Sequence, residues 1–251
     1  MRGRHMALPL SRRWMTDLLA CCSSVPVAMG ERTIRVGKAI AARRKLANPP
    51  SWGSIILKAY ALAAVERREL RWIWLTVPRP HLYEHPCSIV TVVTERQWQG
   101  AECLFFDQLI APETMPIMAI DAALGGLRHA PIESIGGYRR QLRISRLPVF
   151  IRRPIWWAAL RASGYLHARY FGTFSINTIG LPRMITMGTL TPITLSLTHT
   201  PLDAAGQIRV LAAFDHRVID GMVAGRVGGE IEAMINDRVV PELLELAERE
   251  A

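Results

Sequence analysis

The 251 residues are 50% hydrophobic and carry a formal net charge of +10, which is enough length and apolar content for one domain, 1–251, with a sizeable core. The charge suits anionic partners, but it rests almost wholly on arginine, lysine being confined to Lys38, Lys45 and Lys58, and an arginine-rich composition can arise without any partner. The four cysteines, Cys21, Cys22, Cys87 and Cys103, show no Cys-x-x-Cys spacing and the histidines are scattered, which argues against a disulfide framework or a zinc site, weakens any metal reading and fits a reducing compartment, with the cytoplasm as the expectation.

The stretch "SRRWMTDLLACCSSVPVA" from Ser11 sets paired arginines ahead of apolar residues, as an export signal does. Asp17 sits inside the apolar run, and Ser23, Ser24 and Pro26 interrupt it. The expectation is instead an amphipathic helix over 10–22, with Trp14, Met15, Leu18 and Leu19 on one face. No run approaches the roughly 18 apolar residues of a spanning helix.

Residues 25–37 read as extended segments around Gly30. A helix follows over 49–69, with Ser51 or Ser54 as its cap and Ile55, Ile56, Ala59, Leu62 and Ala63 at helical spacing. "RRELRWIW" (67–74) reads as a helix end leading into a strand. "CSIVTVVTER" (87–96) is β-branched and reads as a central strand, with 101–110 as its antiparallel partner across "QWQG". Residues 112–129 read as a helix that stops at Gly125–Gly126. In 147–167, Pro148 and Pro154 break the first part and the second part reads as a helix. "GTFSINTIG" (172–180), 192–200 and 208–217 are expected strands, the last two joined by "PLDAAGQ". Helices are expected over 221–236 and in "VPELLELAERE". This order predicts an α/β domain, a two-layer mixed sheet with helices packed on it.

"FIRRPIWWAALRASGYLHARYFG" (150–172) interleaves arginine with tryptophan and tyrosine. An anionic membrane surface or an acidic carrier protein would suit such a stretch. Ordinary packing of Trp156, Trp157 and Leu160 in a core or subunit face would suit it equally. No nucleic-acid-binding module is recognisable, so no nucleic-acid partner is expected. His199 reads as a mid-strand core or interface histidine.

The most informative stretch is "FDHRVIDG" (214–221), where a strand gives way to a helix. Such junctions present side chains from a rigid scaffold. Histidine titrates near neutrality, so His216 suits a general base. Asp220 can cap the helix or pair with an arginine, and Gly221 allows close backbone approach. The same residues are also compatible with a simple N-cap and a polar loop histidine.

"FDHRVIDG" resembles the signature of the catalytic domain of dihydrolipoyl acyltransferases, the acyl-transfer components of 2-oxoacid dehydrogenase complexes. The same His-x-x-x-Asp-Gly pattern occurs in chloramphenicol acetyltransferase, which shares their fold. "GTFSINTIG" is similar to the family's Gly-Thr-Phe-Thr-Ile-Ser-Asn-Leu-Gly segment. "DGMVAGRVGGEIEAMIND" is similar to its following helix, and "PLSRRWMTDLLACC" to its N-terminal Leu-Ser-x-x-Arg helix. The resemblance is good over 170–240, weaker over 9–26 and 49–63, and hard to trace over 70–150.

The resemblance implies a chloramphenicol acetyltransferase-like fold and a homotrimer with active sites between subunits. It implies coenzyme A or an acyl-CoA as substrate, and a base, His216, that takes the thiol proton. Asp220 would be structural, ion-paired to Arg12 or Arg13. The oxyanion donor would fall on Asn177, where the family carries serine; an asparagine amide can also donate. Strand alternation is expected to turn Ser175 and Thr178 to the face opposite Asn177. None of the three lysines sits in a lipoyl-type hairpin, so no covalent lipoyl group is expected, nor a metal. The charged C-terminus "ELLELAEREA" suggests a plain trimer in the cytoplasm or peripheral to a membrane. The missing serine also admits a non-catalytic structural or assembly relative.

Overall fold

The computed structural model describes residues 3–177 and 192–250. Its strands are β1 (Val27–Arg35), β2 (Trp72–Leu75), β3 (His81–Glu84), β4 (Ile89–Trp98), β5 (Ala101–Ile110), β6 (Phe174–Asn177), β7 (Leu195–His199) and β8 (Gln207–Asp215). Its helices are α1 (Leu10–Cys22), α2 (Gly37–Arg43), α3 (Trp52–Glu66), α4 (Ile117–His129), α5 (Gly136–Arg146), α6 (Val149–Arg161), α7 (Gly164–Tyr170), α8 (Gly221–Met234) and α9 (Val240–Glu250). Six strands form one mixed sheet in the order β1-β8-β7-β6-β4-β5, and β2–β3 form a separate hairpin. The β4–β6 and β6–β7 pairs are parallel, and the other ladders are antiparallel. Thr178, Ile179 and Gly180, the end of the expected strand 172–180, lie outside the described residues.

Several local expectations shift for identifiable reasons. The "QWQG" turn narrows to Gln99–Gly100, both at positive φ, so Gln97 and Trp98 stay in the ladder. Helix α4 runs through Gly125–Gly126 because Ile117, Ile120, Leu124 and Leu127 bury its apolar stripe, outweighing about 1 kcal/mol lost per glycine. Helix α6 runs through Pro154; the carbonyl left without a donor belongs to Phe150, in an exposed first turn open to water. Strand β2 follows the helix end as expected for 67–74, whereas helix α5, helix α2 and strand β3 carry no expectation above.

Register divides the sheet into two unlike faces. On one face Val90, Phe174, Leu195 and Phe214 form a row, followed by Val92, Ile176, Leu197 and Ala212. This apolar face joins α3, α4, α8 and α9 in the main core, with the Tyr60 ring 4.1 Å from that of Phe174. The opposite face carries Thr91, Ser175, Ser196 and Ala213, then Val93, Asn177, Thr198 and Leu211. A smaller cluster on Trp14, Ile144, Trp156 and Phe171 ties α1, α5 and α6 together. Asp17 of α1 is buried there in an ion pair with Arg152 of α6.

The entry to β6 is held by its neighbours. Gly172 has φ +73°, and a Cβ there would sit 2.4 Å from the Ile89 carbonyl oxygen. Thr173 N–H donates to that oxygen at 2.7 Å, and Ile89 N–H donates to Thr173 Oγ1 at 3.0 Å. A Gly172→Ala substitution therefore combines left-handed strain with a backbone clash. It is expected to lower stability by about 3 kcal/mol, read as a shift in the urea denaturation midpoint.

Candidate active site

Strand β8 ends in a turn anchored from within. Asp215 is 2% exposed. Its Oδ1 accepts from Arg217 N–H and from Arg217 Nε, both at 2.9 Å, and its Oδ2 accepts from the far guanidinium nitrogen at 2.7 Å. The guanidinium lies 5.7 Å from the Trp74 ring centroid. Phe214 and Ile219 are buried on either side. His216 N–H donates to the Pro26 carbonyl at 3.0 Å, while its side chain stays 52% exposed. A rigid turn thus presents an accessible imidazole.

Asp220 occupies the N-cap position of α8 but makes no side-chain cap bond. Its carboxylate is 79% exposed and lies 3.6 Å from His216 Nδ1. The expected ion pair with Arg12 or Arg13 is absent among the described residues. The end of α1 near this turn carries Cys22, which feels the charge of Arg217. Arg13 stands nine residues back along the helix, about 14 Å away at 1.5 Å per residue. The acid that α1 does engage is its own Asp17, paired with Arg152, and the brace inside the motif is Asp215–Arg217.

Asn177 is 7% exposed. Its amide nitrogen donates to Thr198 Oγ1 at 2.8 Å and to Ser196 Oγ at 3.4 Å. Ser175 Oγ donates to Ser196 Oγ at 2.8 Å. Ser175 therefore shares the face of Asn177, not the opposite face as expected: a separation of two residues in a strand returns to the same side. Thr178 lies outside the described residues. Sequence reasoning missed Ser196 and Thr198, although "LSLTH" alternates hydroxyls with apolar residues, and that alternation carried the signal.

His216 and Asn177 do not meet within one chain. Asn177 pairs with Thr198, and Thr198 with Leu211, five residues before His216. At about 3.4 Å per residue and ~4.8 Å per strand, they stand roughly 17 Å apart along the strands and about 10 Å across them.

The other conspicuous histidines are buried. Burial pushes His167 and His85 down to about 4. His167 Nε2 faces the Pro192 carbonyl at 3.1 Å and so carries the proton, steadying the approach to β7. His199 ends β7, partly buried, with its pKa lowered by desolvation and its Nδ1 3.0 Å from the Thr200 carbonyl. Among the described residues no group of three or more His, Cys, Asp or Glu could hold a metal ion, and no helix is long and apolar enough to cross a membrane.

No family model matches the sequence, and no curated protein matches it significantly. Solved structures do. The cubic core of a pyruvate dehydrogenase multienzyme complex aligns at 15% identity with TM-score 0.63, covering 95% of this chain and 94% of that one. The dihydrolipoamide acetyltransferase of Azotobacter vinelandii gives the same values. A truncated catalytic core of the 2-oxoacid dehydrogenase complex from Thermoplasma acidophilum aligns at 16% identity with TM-score 0.61, covering 94% and 99%. The chain has the fold of these acyltransferase cores, the chloramphenicol acetyltransferase-like fold that the motifs imply.

His85 and His167 set a pH dependence. Folded, both stay neutral down to about pH 4; unfolded, both take a proton below about 6.5. The unfolded chain binds more protons in that window, so stability falls with falling pH. Going from pH 7 to pH 5 is expected to remove about 2 kcal/mol per ring. Denaturation curves at the two pH values check this, and His167→Gln is expected to reduce the difference.

Proposed function

We propose that this chain is an acyltransferase that moves an acyl group between a thioester, on coenzyme A or a carrier, and an acceptor, working as a homotrimer. The observation that carries the reading is the accessible imidazole of His216 on a turn fixed by Asp215–Arg217, in a chain with the fold of acetyltransferase cores. His216 acts as general base. It takes the proton of the attacking thiol, whose ordinary pKa of about 8.5 is within reach of imidazole near neutrality. The thiolate attacks the acyl carbonyl, and the resulting oxyanion needs hydrogen-bond donors.

Those donors come from the Asn177 ladder of a neighbouring protomer. The separation of His216 and Asn177 within one chain supports a site shared between subunits. Both protons of the Asn177 amide are directed at hydroxyls of β7. The Thr198 hydroxyl accepts from this amide and can itself donate. In this reading Asn177 orients Thr198, and Thr198 meets the oxyanion.

Asp220, 3.6 Å from His216 Nδ1, orients the ring. The Azotobacter protein was studied for the catalytic roles of a serine, a histidine and an asparagine, the last two spaced four positions apart, as His216 and Asp220 are here. An amide at that position suggests that the full negative charge is dispensable.

His216→Ala is expected to lower turnover of acyl-CoA esters by 10²- to 10⁴-fold, while Asp220→Asn stays within about tenfold. A thiol-release assay with short acyl-CoA esters measures both. Thr198→Val is expected to cost about a hundredfold in kcat with KM little changed. Wild-type protein that turns over no CoA or carrier thioester would instead make the chain a structural relative of the acyltransferase cores.

A further inference from the structure

Helix α6 opens with three consecutive exposed apolar residues, Val149, Phe150 and Ile151. Successive helix positions differ by about 100°, so three in a row span most of the circumference. The first turn of α6 therefore protrudes from the body of the protein. Further along, Phe150, Arg153, Trp157 and Arg161 recur on one exposed stripe, while Arg152, Trp156 and Ala159 face inward. Phe150 is 74% exposed and Trp157 51%. Of the tryptophans, all within the described residues, Trp157 alone is exposed. On α7, Tyr165 is 66% exposed, with its hydroxyl 3.1 Å from an Arg169 guanidinium nitrogen.

Charge on this surface has one sign. Residues 134–202 contain no aspartate or glutamate. Arg139, Arg143 and Arg146 are exposed on α5, whose end joins α6 through Leu147–Pro148. Among the described residues no carboxylate pairs with Arg139, Arg143, Arg146, Arg153 or Arg169. Arg152, which does have an acidic partner, is the one turned inward onto Asp17.

We propose that the α5–α6 corner is a docking surface for an anionic lipid membrane, with Val149, Phe150 and Ile151 entering the headgroup–acyl boundary. Trp157 and Tyr165 lie at the interface, where amphipathic rings are favoured. The arginines meet lipid phosphates, and their apolar stems cover the bilayer surface. A convex apolar tip ringed by cations suits a deformable anionic layer. A second copy placed face to face on this patch would oppose arginine to arginine. The proposal is independent of the acyl-transfer reading, since it concerns no residue assigned to that site.

Co-sedimentation of the full chain with phosphatidylcholine vesicles, with and without phosphatidylglycerol, tests it. Wild-type protein is expected to bind only the anionic vesicles and to be released by high salt. The Arg143→Gln, Arg146→Gln, Arg153→Gln triple variant is expected to bind about a hundredfold more weakly. Phe150→Ser is expected to bind about tenfold more weakly, with its circular dichroism and thermal midpoint unchanged. Brominated lipid is expected to quench wild-type tryptophan fluorescence, and Trp157→Phe to abolish most of that quenching. Equal binding to both vesicle types, or triple-variant binding equal to wild type, would overturn the proposal. So would a changed oligomeric mass in Phe150→Ser, which would make the patch a subunit contact. Arginine-dependent binding to an acidic carrier protein without binding to vesicles would overturn it as well.

Discussion

The sheet depends on one clamp. Strand β6, four residues long among the described residues, lies parallel to both of its neighbours, so no tight hairpin fixes its register. The reciprocal bonds between Thr173 and Ile89 do that work, and they require a backbone approach that only glycine at 172 permits. Once β6 is set against β4, Phe174 meets Tyr60 in the core, and Ser175 and Asn177 fall opposite Ser196 and Thr198. A one-residue slip would put Asn177 into the apolar core and Phe174 among hydroxyls. The Gly-Thr-Phe portion of "GTFSINTIG" is thus explained by geometry before any chemistry is invoked.

Buried hydroxyls and an amide in the middle of a sheet are costly unless they are paired. Here they pair with one another across the parallel β6–β7 ladder. Aliphatic residues at 175, 177, 196 and 198 would satisfy the fold with less desolvation. The polar row is therefore not required by the fold, and a role in the proposed acyl transfer would account for it. The turn at β8 follows the same logic. Asp215 and Arg217 hold the backbone through a partly buried bidentate pair, so that His216 can remain exposed without being loose.

Much of this was legible in the residues. The caps, β-branched runs and turn residues located α1, α3, β4, β5, β7, β8 and α8, because each carries its own local signal. What was not legible depends on tertiary contact. Gly125–Gly126 reads as a helix stop until the buried stripe of α4 is known. Arg12 and Arg13 look like partners for Asp220 until the length of α1 is measured against the turn. Trp156 and Trp157 are adjacent and chemically alike, yet the first packs against Trp14 at 4.4 Å between ring centroids and the second faces solvent. That difference is set by helix phase, which 100° per residue fixes only once the buried side is known.

In the proposed reaction, asparagine at position 177, where the resemblance places a serine, would change which strand addresses the substrate. A serine hydroxyl at position 177 can accept one bond and donate another. An asparagine amide is longer, and across the parallel ladder it reaches the hydroxyls of β7. Its donors are directed there. If an oxyanion is stabilised at this face, the polarised hydroxyl of Thr198 is better placed to do it than the amide that orients it. In that arrangement the chemistry moves one strand over while the backbone register stays the same, so a sequence comparison at position 177 alone would register a lost function.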